Sequence, residues 1–132
     1  MNQELLLRAQ FLQSQAQELE QNLEIIDREI SDLQKMDESL NFFMNSKESS
    51  TISTIGKGLH VKTNLESKEL FVEVGAGIVV KKSPQEAIKV VQTQIKKLSE
   101  ARVHISGKLD IYHRTLESIL QEAQNEQTSN KQ

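Results

Sequence analysis

The sequence of 132 residues has no cysteine and no tryptophan, a single proline, and only five glycines and five aromatic residues (four Phe, one Tyr). Each shortage excludes something. Without thiols there are no disulfides, no thiolate metal sites and no thiol catalysis, which fits a reducing, cytoplasmic setting. So few large aromatics are a poor basis for a compact globular core, and the apolar residues must form a seam instead. No run approaches the ~20 apolar residues needed to cross a bilayer. The start of the chain is polar and acidic, unlike a signal peptide. These features predict a chain without membrane association. Sixteen basic residues against nineteen acidic ones give a net charge of −3, and the two signs are interleaved. That is not the basic footprint of a nucleic-acid binder.

What is present is periodicity. Leu5, Ala9, Leu12, Ala16, Leu19, Leu23, Ile26, Ile30 and Leu33 recur at alternating steps of four and three. Asp37 interrupts the next position and Leu40 resumes it. A heptad spacing held this long predicts a coiled-coil helix over 1–45. The second seam runs Ile88, Val91, Ile95, Leu98, Arg102, Ile105, Leu109, Tyr112, Leu116, Ile119 and Ala123, with Arg102 its one charged member. Ser83, Pro84 and Glu86 supply a capping box and a first-turn proline at the start of this helix, predicted over 83–124. Each helix would be ~60 Å long at 1.5 Å per residue. Similar lengths predict that the two fold back as an antiparallel hairpin, with parallel pairing between chains as the competitor. The Gln- and Asn-rich end, 125–132, is expected to be a disordered tail.

The middle, 46–82, differs in kind. Ile52–Lys62 matches Phe71–Lys81 at an offset of nineteen, each copy placing Gly-x-Gly between two β-favouring runs. This predicts strands near 51–55, 59–64, 69–74 and 78–82, in two consecutive hairpins. The fold class is therefore α+β, mainly α: a long two-helix coiled coil joined by two β-hairpins. Leu70, Phe71, Val72 and Val74, and the run Ile78-Val79-Val80, are too apolar for strands with one wet face. A four-stranded patch would also leave open edges. Both features predict an obligate oligomer held through this region.

Signals for catalysis are weak. Neither Gly56-Lys57-Gly58 nor Gly75-Ala76-Gly77 completes a phosphate-binding loop or leads into a helix. His60, His104 and His113 lack metal-ligand spacing. No nucleophile has a base beside it, so the chain is expected not to be an enzyme and to need no cofactor or metal. The anomaly lies at the free ends of the helices. Leu6, Leu7 and Phe11 are apolar beyond the needs of a seam that already has Leu5 and Leu12. On the second helix, Leu120 widens a seam that already has Leu116 and Ile119. A thin two-helix end has no second layer to bury them, and exposed apolar groups at such a place point to binding.

The stretch Glu69-Leu-Phe-Val-Glu-Val-Gly-Ala-Gly-Ile-Val-Val-Lys-Lys-Ser-Pro-Gln-Glu-Ala87 resembles the prefoldin family, and the double hairpin resembles its archaeal α-type subunits. That resemblance implies an ATP-independent chaperone in which two α and four β subunits join their hairpins into a β-barrel platform. Coiled-coil tips would hold unfolded proteins and pass them to a group II chaperonin. Mapped onto this sequence, Leu5, Leu7, Phe11, Leu12, Leu116, Ile119 and Leu120 fall in the client-holding tip. Ile55, Leu59, Val61, Val72, Val74, Ile78 and Val80 fall in the assembly platform. The other reading of the residues is a structural coiled-coil tether or adaptor for one folded partner.

Overall fold

The structure is a computed structural model that describes residues 2–130. The elements are α1 (Gln3–Asn45), β1 (Ser50–Gly56), β2 (Leu59–Asn64), β3 (Leu70–Gly75), β4 (Ile78–Lys82) and α2 (Pro84–Asn130). They divide into two compact units: one of the chain up to Ser31 and from Lys96 onward, the other of 32–95.

Both helix starts are closed by side chains. The Asn2 carboxamide oxygen accepts from the Glu4 amide at 3.0 Å, and Leu6 N donates to the Asn2 carbonyl at 3.1 Å, so Asn2 is the N-cap. At α2 the capping box closes in both directions. Glu86 N donates to Ser83 Oγ at 3.2 Å and Ser83 N donates to Glu86 Oε2 at 3.3 Å. The far end of α2 departs from expectation. Residues 125–130, expected to be disordered, continue the helix, and 131–132 lie outside the described residues. Of residues 125–130, Glu126 and Gln127 are good helix formers, whereas Asn125, Thr128, Ser129 and Asn130 are weak ones. Extending a nucleated helix gains one hydrogen bond per residue fixed.

In the unit built from the two helix ends, α1 and α2 run antiparallel. Arg102 Nε lies 2.6 Å from Asp27 Oδ1, and His113 Nε2 lies 3.4 Å from Glu20 Oε1. Stepping back along α1 from Asp27 to Glu20 steps forward along α2 from Arg102 to His113. Every seam position read from the spacing is sheltered here except Arg102, and Tyr112 is half-buried among them. Leu5, Ala16, Ile119 and Ala123 are buried outright. Alanine at Ala16 and Ala123 lets the seam close where a larger residue would hold the helices apart. His113 and Glu20 both stay about half exposed.

In the second unit, β1 pairs with β2 and β3 with β4, both antiparallel, as two separate two-stranded sheets. The expected single four-stranded patch does not form, so each of the four strands keeps an unpaired edge. The link between the hairpins is drawn elsewhere: Lys68 Nζ donates to the carbonyls of Met44 and Ser46 at the end of α1. The repeat extends to fine detail. Each first strand bulges before its turn, between Thr54 and Gly56 and between Glu73 and Gly75. The extra residues, Ile55 and Val74, are repeat equivalents.

The turns themselves differ. Ala76 (φ 50°) and Gly77 (φ 74°) are both left-handed, as a primed hairpin turn requires, whereas in the first turn Gly58 (φ 73°) is left-handed and Lys57 is not. Alanine at a left-handed position is strained by roughly 1 kcal/mol. The Ala76→Gly variant should therefore be more stable by about 1 kcal/mol, read as a raised urea midpoint with an unchanged slope.

Candidate functional site

Two surfaces carry apolar side chains that the single chain leaves uncovered. The first lies where α1 begins and α2 ends. Its residues divide by heptad position. Leu5 (6% exposed) and Ile119 (3% exposed) are seam residues and hold the helices together. Leu12 and Leu116, also on the seam, are half-buried. Leu7 (63%), Phe11 (64%) and Leu120 (54%) point outward. Leu7 and Phe11 are one helical turn apart on the side of α1 away from its seam, so they form a continuous ridge. Leu6 is exposed as well and belongs with them. Among the seven residues singled out by sequence, the three outward ones are free to touch another molecule. The other four position them.

The second surface is the pair of hairpins. Ile55, Leu59, Val61, Val74, Ile78 and Val80 are exposed, and Val72 is half-buried. Registers explain the difference. Leu70 pairs with Lys82 and Val72 with Val80, so these four share one face of the second hairpin. Leu70 and Val72, with Phe71, help line an open, mostly apolar groove of about 310 Å³ over Met36 and Leu40 of α1 and Ala87, Val90 and Val91 of α2. The opposite face of that hairpin holds Phe71, Glu73, Val79 and Lys81. Lys81 Nζ sits 5.8 Å from the centre of the Phe71 ring and 4.0 Å from Glu69 Oε2.

Ile52, Phe71 and Val79 are large, exposed and absent from the sequence-derived set. The signal for them was present: apolar residues occupy both phases of the strand alternation, so both faces need cover. The first hairpin is more polar. Ser53 Oγ and Thr63 Oγ1 lie 3.1 Å apart, and Thr54 Oγ1 and His60 Nδ1 lie 3.2 Å apart. Such hydroxyl pairs stiffen a two-stranded ribbon that has no core beneath it.

The exposed members of the two surfaces are mainly aliphatic and aromatic, with Glu73 and Lys81 beside them on the second hairpin. Among the described residues, no group of three or more His, Cys, Asp or Glu could hold a metal ion. No helix among the described residues is long and apolar enough to cross a membrane.

An antiparallel helix pair with an apolar open end, joined by two bare hairpins, defines a coiled-coil assembly subunit. The chain matches the prefoldin subunit family over residues 12–129, and it belongs to that family. The prefoldin subunit alpha 1 of Thermococcus kodakarensis is 35% identical over 96 residues, covering 71% of this chain and 66% of that protein. The prefoldin subunit alpha of Pyrococcus horikoshii is 30% identical over 118 residues, covering 87% of this chain and 80% of that one. The fold is also that of the filamentous PFD of Methanocaldococcus jannaschii seen by cryo-EM. Its TM-score is 0.69 at 20% identity, covering 87% of this chain and 97% of that chain. The role of the chain is accordingly that of the family, a molecular chaperone, and the relatives from Thermococcus kodakarensis and Pyrococcus horikoshii are both alpha subunits.

One local contact holds the hairpin region to its helix. The last turn of α1 has no basic residue of its own. The Lys68 ammonium, from the link between hairpins, takes that place against carbonyls that would otherwise be unpaired. Lys68→Met should lower stability by about 1 kcal/mol. Amide hydrogen exchange should quicken over residues 46–49, and Lys68→Arg should restore part of the protection.

Proposed function

We propose that this chain is an ATP-independent holdase subunit that takes up unfolded proteins at the open end of its helix pair. Two copies assemble with four β-type subunits through the hairpins, work in the cytoplasm, and hand their clients to a group II chaperonin. The observation that carries this reading is the exposure of Leu7, Phe11 and Leu120 beside a seam that Leu5 and Ile119 already fill. Those three lie off the seam, and each keeps more than half its surface in water. Apolar surface gains roughly 25 cal/mol per Å² when covered, so a small ridge binds any apolar segment weakly and without preference.

Weak, unspecific patches suit a holder of many clients when several act together. Tethering them in one assembly makes the second and third contacts intramolecular, so avidity rises without new contacts. The hairpins supply the tether. Their exposed residues Ile55, Leu59, Val61, Val74, Ile78 and Val80, with Val72, and the unpaired strand edges, are the features that favour coverage by other subunits.

Two measurements test this. Native mass spectrometry of the complex isolated through this chain should give two copies with four of a smaller coiled-coil protein. A monomer holding one folded partner would replace this reading with that of a tether. Replacing Leu7, Phe11 and Leu120 together with Ser should cut capture of denatured clients by on the order of tenfold and leave the particle mass unchanged. If the particle itself dissociated, the open end would be structural and not a client site.

A further inference from the structure

Each seam carries a single ionised residue, and the two have opposite charge: Asp37 on α1 and Arg102 on α2. Apart from these and Tyr112, both seams are aliphatic: Leu, Ile and Ala on α1, and Leu, Ile, Ala and Val91 on α2. Charge is therefore the sharpest difference between an α1 seam and an α2 seam. In the four-and-three spacing, Asp37 and Arg102 occupy the same kind of position, the one that follows a step of four. In a parallel pair of identical helices, a residue at that position faces its own copy across the seam. Two copies of α2 would therefore press Arg102 against Arg102, and two copies of α1 would press Asp37 against Asp37.

The antiparallel pairing of α1 with α2 relieves the first clash. Arg102 leans off the seam to Asp27, which flanks Ile26, with Nε 2.6 Å from Oδ1. Both side chains are about half exposed, so the ion pair itself contributes little stability. Its weight lies in the comparison with the wrong partner, which offers a second guanidinium in place of a carboxylate. We propose that Arg102 and Asp37 are partner-selecting residues, placed on the seams to prevent either helix from pairing with its own copy. The selection matters wherever several of these chains are held close together, because every seam then has like seams within reach.

The absence of native cysteine permits a direct test in the full-length chain. Ala123→Cys places a lone thiol at a buried seam position of α2. In the native pair it faces α1, which has no thiol. In a parallel α2 pair it meets its own copy and forms an interchain disulfide in glutathione buffer. Adding Arg102→Leu should raise the disulfide-linked dimer by on the order of fivefold, with helical circular dichroism retained because leucine suits both seam and helix. Arg102→Lys, which keeps the charge, should stay at the parent level. On α1, Ala16→Cys with Asp37→Leu should behave likewise. An unchanged dimer fraction in Arg102→Leu would overturn the proposal, and so would an equal rise in Arg102→Lys.

Discussion

Two helices laid side by side share a line of contact and enclose no interior. In this chain that line is a row of aliphatic side chains spaced four and three apart, and its burial is what keeps α1 and α2 together. Among the described residues, the buried ones are Leu5, Ala16, Pro84, Val91, Ile119 and Ala123. A core so thin has no spare capacity. Most large apolar residues off the line stay exposed, Phe11 beyond the seam and Phe71 on a strand among them. The exposed surfaces of the molecule follow from this limit, since residues that a globular domain would fold inward must here be covered by another molecule or left bare.

The parts of this architecture set by local rules were legible in the sequence. Heptad spacing marked the sheltered positions one by one. Ser83, Pro84 and Glu86 marked the start of α2, and Gly-x-Gly between β-favouring runs marked both hairpins. The outward residues Leu7, Phe11 and Leu120 were legible because a periodic seam makes any extra apolar residue conspicuous. What escaped depends on contacts between segments far apart in the chain. The separation of the hairpins into two sheets goes with Lys68 reaching carbonyls more than twenty residues before it, and no spacing rule foretells that. The helical continuation to Asn130 escaped for another reason: polar composition argued for disorder, while the helix ahead of it had already met the cost of nucleation.

The internal repeat is instructive where its copies diverge. Ile55 and Val74 hold the same bulge position in each hairpin, so strand bending has been kept in both. The faces have not. The first hairpin carries threonine, serine and histidine in hydroxyl contacts, while the second carries valine, phenylalanine and isoleucine and overlies an apolar groove. One backbone plan thus serves two surfaces of different polarity. A molecule covering the second hairpin must match an apolar face, and one covering the first must satisfy hydroxyls.

The position of Tyr112 has an optical consequence. It is the sole phenol of the chain, it is half-buried on the α2 seam, and there is no tryptophan anywhere. Intrinsic ultraviolet emission therefore reports the packing of that one layer of the helix pair. At excitation wavelengths selective for indole the protein is dark, so the emission of any tryptophan-bearing molecule bound to it would be seen without background from the chain itself.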